Sequence, residues 1–347
     1  MRLNKILVPL LFTAMAFGEL QRLPGLPLYL HDLILAGLLV ANFRRLKFYR
    51  PILWFSLAAV ISLIGASFRM PLNQVLIGSL YLARFLVYSL LINLAIKPIY
   101  LIGYSSAIAG LGLVQYLSVP DTRWLFALNW DEHYYRLLST LFDPNFTGII
   151  LVLGLVLIYF YLPVQAGRPK IWWLYGLHLA ALWLTYSRSS YLALFAAVAA
   201  IIVLKKKFKL ILFAVIFAVS LLLLPRPGGE GVKLERIMSV KQRLSNYQLG
   251  LEFWRQSPVF GLGFNTLRYF RDNPASHSAS GLDSSLIFVL ATGGIVGLMA
   301  YLNLLRSLWQ TSLVMKVTLA ALLVHSLFVN SLFYSFTLIW LWSVVDG

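Results

Sequence analysis

Three arginines and two proton-accepting groups carry the chemical interest of this chain. Arg188 stands between two apolar runs, in Thr185-Tyr-Ser-Arg-Ser-Ser-Tyr191, and Arg236 and Arg243 lie seven residues apart in a long basic stretch. A guanidinium keeps its charge and offers a planar, two-pronged donor set, so these residues suit an anion such as a phosphate. His277 and Asp283 close the same stretch. Histidine accepts a proton near neutral pH, and a carboxylate does so when its pKa is raised. Each residue also has a plainer reading. The arginines could touch lipid phosphates at a membrane surface, His277 could be an ordinary loop residue, and Asp283 could cap the following helix.

A second group would support such a site. Asn145 follows the helix-opening pair Asp143-Pro144, whose cap and first-turn roles are explained by those residue types alone. Ser187 precedes Arg188. Asn265 ends Gly261-Leu-Gly-Phe-Asn265, a turn whose glycines let backbone approach a ligand. Arg84 lies inside an apolar run, where a structural ion pair or snorkelling is the plainer role, and His325 sits where interhelical hydrogen bonding would explain it. The five histidines are scattered, no paired-carboxylate or His-x-x-x-His spacing occurs, and there is no cysteine, so no metal site and no thiol chemistry is expected.

The elements that must position these residues are apolar helices. The chain is 60% hydrophobic and only 12% charged, against about a quarter charged in soluble domains. Runs near 4–19, 28–42, 51–68, 72–95, 98–118, 144–163, 171–186, 189–204, 208–224, 284–305, 312–329 and 331–345 give about twelve transmembrane helices in one all-α polytopic membrane domain covering 1–347. The seventh and eighth could be one long broken helix. The first run lacks an Ala-x-Ala-like cleavage site, so no cleavable signal peptide is expected. Between the ninth and tenth spans lies a loop of 59 residues, 225–283. Within it Ile237, Val240, Leu244, Tyr247, Leu251 and Trp254 recur at steps of three and four, which predicts an amphipathic helix over about 234–256. Its apolar stripe is expected to pack on the membrane surface or on the tops of the spans.

Charge sets the orientation. With the N-terminus inside, fifteen Lys/Arg fall in the inner segments, including Arg44, Arg45, Lys47 and Arg50 and the Lys205–Lys209 cluster. The short outer segments hold Arg22, Arg69, Arg123, Arg136 and Arg188. This bias places both termini in the cytoplasm and the long loop outside. The formal net charge of +17 fits anionic lipid or a phosphate-bearing substrate. Nucleic acid fits poorly, because most basic residues sit in short connections between spans.

In this order the motifs resemble the O-antigen ligase and polymerase superfamily of bacterial envelope glycosyltransferases. The resemblance rests on Asp143-Pro-Asn145, Ser187-Arg188-Ser-Ser190, Arg243 upstream of Trp254, Ser257-Pro-Val-Phe-Gly-Leu-Gly-Phe-Asn265, His277, Ala291-Thr-Gly-Gly-Ile-Val-Gly297 and His325-Ser-Leu-Phe-Val-Asn330. It runs from about residue 140 to the C-terminus. It implies a GT-C-like fold of about twelve helices in the plasma (inner) membrane, with an extracytoplasmic site. It also implies transfer of a glycan from undecaprenyl diphosphate to a hydroxyl on an acceptor glycan or lipid, as in lipopolysaccharide assembly, with no cofactor. Arg188 and Arg243, with Arg236, would hold the diphosphate, and His277 would activate the acceptor. One departure stands out. Asp283-Ser284 occupies the place of the ligases' His-Asn pair, with His277 six residues earlier, which leaves Asp283 as a rival base and polymerase as a rival activity. A transporter of polysaccharide or carrier lipid is the rival of another class. It would need charged residues lining the spans, and mid-span acids are nearly absent from the sequence.

Overall fold

The computed structural model describes residues 3–23, 28–128, 130–162, 169–272, 274 and 281–345. His277 lies outside the described residues. Among them, thirteen α-helices and several short 3-10 turns form, and no β-strand. Twelve of the helices are the apolar runs seen in the sequence: α1 Asn4–Ala16, α2 Leu30–Ala41, α3 Arg50–Ser67, α4 Leu72–Ser89, α5 Pro98–Ser118, α6 Pro144–Tyr161, α7 Pro169–Leu184, α8 Arg188–Lys205, α9 Leu210–Leu222, α11 Ser285–Trp309, α12 Leu313–Ser326 and α13 Ser335–Val344. The remaining one, α10 Met238–Gln256, is the amphipathic helix between α9 and α11.

Six of these helices are long and apolar enough to cross a membrane: α3, α4 with its 3-10 extension to Asn93, α5, α6, α8 and α11. At about 1.5 Å per residue an 18-residue helix spans about 27 Å, close to a bilayer's hydrocarbon core, whereas α1 and α2, with 13 and 12 residues, reach only about 19 Å. α1 and α2 form a hairpin tied at its open end by reciprocal amide bonds between Asn4 and Asn42, at 2.8 and 2.9 Å. α6 is apolar all round and lies at the centre, packed by α5, α7, α8 and α12. Large apolar side chains such as Trp54, Ile64, Val203, Leu212 and Leu223 stand exposed around the bundle. An apolar belt of that extent is what lipid contact requires.

The seventh and eighth runs are two helices. The chain breaks at Thr185-Tyr186-Ser187, where Tyr186 takes a left-handed φ of 48° and Ser187 caps α8 through the Ser190 N–H. The amphipathic helix starts at Met238 rather than near 234, so Arg236 precedes it instead of riding on its flank. Of the two expected settings for its apolar stripe, exposure at the first turns leaves the membrane surface. Ile237, Val240 and Leu244 are exposed and do not pack on the spans. The side of α10 that does pack is the one carrying Gly250 and Phe253. A Cβ at Gly250 would meet Ile287 at 2.5 Å and Leu282 at 2.9 Å, so glycine lets α10 lie directly on the start of α11.

Candidate functional site

The break between α7 and α8 is the seat of the site. Asp143 caps α6 by accepting from the Asn145 and Phe146 N–H groups at 2.5 and 3.0 Å. That fixes Asn145, whose Oδ1 accepts from the Ser187 hydroxyl at 2.8 Å. Behind them, His325 of α12 is buried with its Nε2 3.3 Å from both Ser189 and Ser190 Oγ. Two motifs far apart in sequence are thus hydrogen-bonded into one unit, and Asn145, Ser187 and His325 serve as its frame. Arg188 projects from that frame as the first residue of α8.

Arg188 donates to the carbonyls of Leu234 and Arg236, at 3.0 and 3.1 Å, and to Ser239 Oγ at 2.5 Å. It therefore anchors the strand of chain that leads into α10. Arg236 turns back to the carbonyls of Gly231 and Lys233, at 2.7 and 2.8 Å, and reaches the Tyr186 carbonyl at 3.4 Å. Arg243 donates through Nε to the Phe328 carbonyl at 3.2 Å, with its guanidinium 5.8 Å from the Phe328 ring centroid. Tyr247, one turn on, donates to the Leu327 carbonyl, which pins α10 to the end of α12.

A fourth arginine completes the cluster, and sequence reasoning missed it. Arg136 is only 7% exposed and donates to the Thr185 and Tyr186 carbonyls at 3.0 and 3.5 Å. It satisfies carbonyls that the helix break would leave without partners. Burial pulls its pKa down to about 10, with Arg243 and Arg188 adding repulsion against the pull of Asp143 and Tyr191. Burial likewise lowers Arg236 to about 9, together with repulsion from Arg136, Arg188 and Arg243. Among the described residues, none of the four has a carboxylate within salt-bridge distance. Every one of their fixed bonds goes to a carbonyl or a hydroxyl, so the positive charge is positioned but not neutralised. The only signal in sequence was the position of Arg136, seven residues before Asp143.

Asp283 lies at the edge of this cluster. Ser284, not Asp283, caps α11, accepting from the Ile287 N–H at 3.5 Å. The expected capping role of Asp283 therefore belongs to its neighbour, and the Asp283 carboxyl is left for other work. Its backbone N–H is held by Asn246 Oδ1 of α10 at 2.9 Å. Burial raises its pKa above the ordinary carboxylate value, and Arg243 and Arg271 pull it back. A carboxylate made more basic by burial, within electrostatic reach of Arg243, has the properties of a general base.

Two expected supporting residues sit elsewhere. The Gly261–Asn265 turn is woven into a kink of α11. Gly294 breaks that helix with φ 62° and ψ −165°. Leu262 and Gly263 donate to the Ala291 and Thr292 carbonyls at 3.0 and 3.1 Å, and Ile295 and Val296 donate back to Pro258 and Val259 at 2.9 and 3.2 Å. Asn265 takes a left-handed φ of 57° at the end of this weave. Arg84 pairs with Asp32 of α2 at 2.8 Å, where Tyr88 also donates and the Tyr29 N–H adds 2.9 Å. The helices do carry an acid, then, but it is matched by a cation.

Four arginines with no carboxylate partner among the described residues, beside a partly buried carboxyl group, form an environment whose charge suits an anion. The family model described as O-antigen ligase matches residues 173–302. Those residues hold the α7–α8 break, Arg188, all of α10 and most of the kinked α11, and over them the chain is similar to the O-antigen ligase family. No curated protein matches the chain.

Proposed function

We propose that the chain transfers a glycan from an undecaprenyl diphosphate carrier to an acceptor hydroxyl, on the extracytoplasmic side of the bacterial plasma membrane. The observation that carries this reading is the convergence of Arg188 and Arg243 with Arg136 and Arg236, none bound to a carboxylate. The leaving group is a lipid diphosphate. As the bond between the anomeric carbon and the phosphate oxygen breaks, its electron pair moves onto the diphosphate, and fixed guanidiniums stabilise that charge without a metal. The acceptor oxygen forms the new bond to the anomeric carbon and gives its proton to Asp283. Arg188 and Arg243 are the clamp, Arg236 flanks them, and Arg136 holds the helix break that presents Arg188. The positive-inside bias supports a cytoplasmic N-terminus, with the 225–283 segment and the site outside.

Polymerisation, with the growing glycan itself as acceptor, is favoured over ligation by one observation. Asp283-Ser284 stands where the ligases carry His-Asn, and Asp283 is free of the capping role. The test is reconstitution of the purified chain with undecaprenyl diphosphate-linked repeats. Longer glycans without any added acceptor support the polymerase. Transfer only to an added lipid or glycan acceptor supports the ligase. Movement of the carrier across the bilayer with no new glycosidic bond would sink both.

A further inference from the structure

Glu19 is a buried carboxyl that the proposed reaction does not use. It sits in the 3-10 turn Gly18–Gln21 between α1 and α2 and is 6% exposed. Both its oxygens are occupied. Oε2 accepts from the Tyr29 hydroxyl at 2.8 Å, and Oε1 from the Tyr334 hydroxyl at 3.3 Å. Among the described residues no cation stands within salt-bridge distance of it. An ionisable group buried among apolar helices is costly and marks a function by default.

Two routes join this turn to the arginine site. Tyr334 lies at the start of α13, and its ring stacks on Phe146, with centroids 3.8 Å apart and planes 18° from parallel. Phe146 follows Asn145, and the N–H groups of both are held by Asp143. Asn145 in turn holds Ser187, the cap of α8. The second route is backbone. Gly18 takes a left-handed φ of 53°, and a Cβ there would stand 2.2 Å from the Thr140 carbonyl oxygen. The Thr140 hydroxyl, close before Asp143 in the chain, donates to the Ala16 carbonyl at 2.8 Å.

We infer that Glu19 is a positioning residue whose ionised form, through Tyr334 and Phe146, sets the first turn of α6 and with it the Arg188 arm of the diphosphate site. A carboxylate accepts from both tyrosine hydroxyls. Once protonated it carries a hydrogen of its own to donate, so one of the two bonds is lost as it stands, and the Tyr334 bond is the longer. The ring on Phe146 is then no longer fixed from Glu19. Burial raises the Glu19 pKa to about 7, and the Tyr29 bond, the Arg22 charge, the Tyr334 bond and the Arg84 charge pull it back. The other ionisable groups around it are Tyr104 of α5, within electrostatic reach, and His31 and Asp32 of α2, of which Asp32 is paired with Arg84. Donor binding should therefore be tight above that value and weaker below it. The inference rests on the transferase reading above.

The test is undecaprenyl diphosphate binding to the full chain in nanodiscs at about pH 5.5 and about pH 8.5, either side of the Glu19 value. Affinities are compared as ratios to wild type, because ionisation of the ligand's phosphates acts on every variant alike. Glu19→Gln, the neutral isostere, should bind about tenfold more weakly than wild type at the higher pH, the scale of one charged hydrogen bond, and equally at the lower. Tyr334→Phe keeps the stacked ring, removes the same bond and should show the same pattern. Ratios that do not change with pH make Glu19 a purely structural residue and overturn the inference, as does wild-type affinity in Tyr334→Phe at the higher pH. Tyr334→Phe decides even where Glu19→Gln fails to fold, because it leaves the carboxyl and its Tyr29 bond in place. Binding rather than rate is read, so the base plays no part. Arg188→Ala and Arg243→Ala are measured alongside. Wild-type affinity in both would sink the transferase reading, whatever the Glu19 ratios show.

Discussion

Arg243→Ala separates chemistry from folding more cleanly than any other change at the site. The side chain has one hydrogen bond, to the Phe328 carbonyl at 3.2 Å, and one ring contact at 5.8 Å. Charged hydrogen bonds contribute about 1.5–3 kcal/mol and an exposed cation–π contact about 0.5–1 kcal/mol. Tyr247 holds the same junction independently through the Leu327 carbonyl. The fold should therefore survive, with expression and detergent-extracted monodisperse protein near wild type. The reaction has no such reserve. A preorganised donor facing developing charge is worth about 10²–10³ in rate, or roughly 2.7–4 kcal/mol. Initial rates of glycan transfer in proteoliposomes carrying undecaprenyl diphosphate-linked glycan should fall by that factor. Arg243→Lys keeps the charge but loses the fork, and should recover part of the rate. A rate for Arg243→Ala within about threefold of wild type would refute the clamp.

Asp283→Asn should lower transfer by about 10²–10⁴, the range of general-base catalysis, while His277→Ala costs only a few fold; the reverse ranking in the same rate assay removes Asp283 from the role. The base acts ionised, so the wild-type rate should fall as pH drops through a value above the ordinary 3.8 of Asp, and this limb should be missing from the pH profile of Asp283→Asn. The same raised pKa has a stability consequence. The folded protein binds that proton more tightly than the unfolded chain, so its contribution is full at low pH and lost as pH rises through the folded value. At neutral pH, Asp283→Asn should consequently melt no lower than wild type, and a marked fall in Tm contradicts the burial argument. Arg136→Ala leaves the Thr185 and Tyr186 carbonyls without their donor and should destabilise by about 1.5–3 kcal/mol for each bond lost, read as a lower Tm and weaker donor binding together. Gly261→Ala and Gly294→Ala should sharply cut folded yield on size-exclusion chromatography, because their Cβ atoms would stand 2.3 Å from the Thr292 carbonyl carbon and 2.2 Å from the Val259 oxygen. Gly293→Ala meets nothing within 4 Å and should fold normally, which makes it the control.

The helices were legible because burial in lipid and in the bundle writes itself as apolar runs, and the twelve runs correspond to twelve apolar helices. The role of Asp143-Pro144 was legible too, since a cap and a first-turn proline act on their own neighbours. Other features were not local. Asp283 and Ser284 are both good caps, and only the geometry of α11 shows that Ser284 takes the role. The Gly261–Asn265 turn carried the signs of close backbone approach, but its partner is the Gly294 kink about thirty residues on, which no spacing reveals. Arg136 looked like one of the scattered basic residues of the short outer segments, because the carbonyls it satisfies are left open only once α7 and α8 break apart at Tyr186. On α10, periodicity does not say which face meets protein, and here glycine at 250 lets the helix lie against Ile287 and Leu282.

In the proposed reaction the arginine cluster binds the carrier's diphosphate. That binding is tested most directly by determining the structure of the full chain in nanodiscs with undecaprenyl diphosphate bound. Both phosphates should lie within hydrogen-bonding distance of the Arg188 and Arg243 guanidiniums, with the lipid chain leaving the site between helices. A diphosphate seated away from both arginines, with the cluster still bonded only to its carbonyls and Ser239, would contradict it.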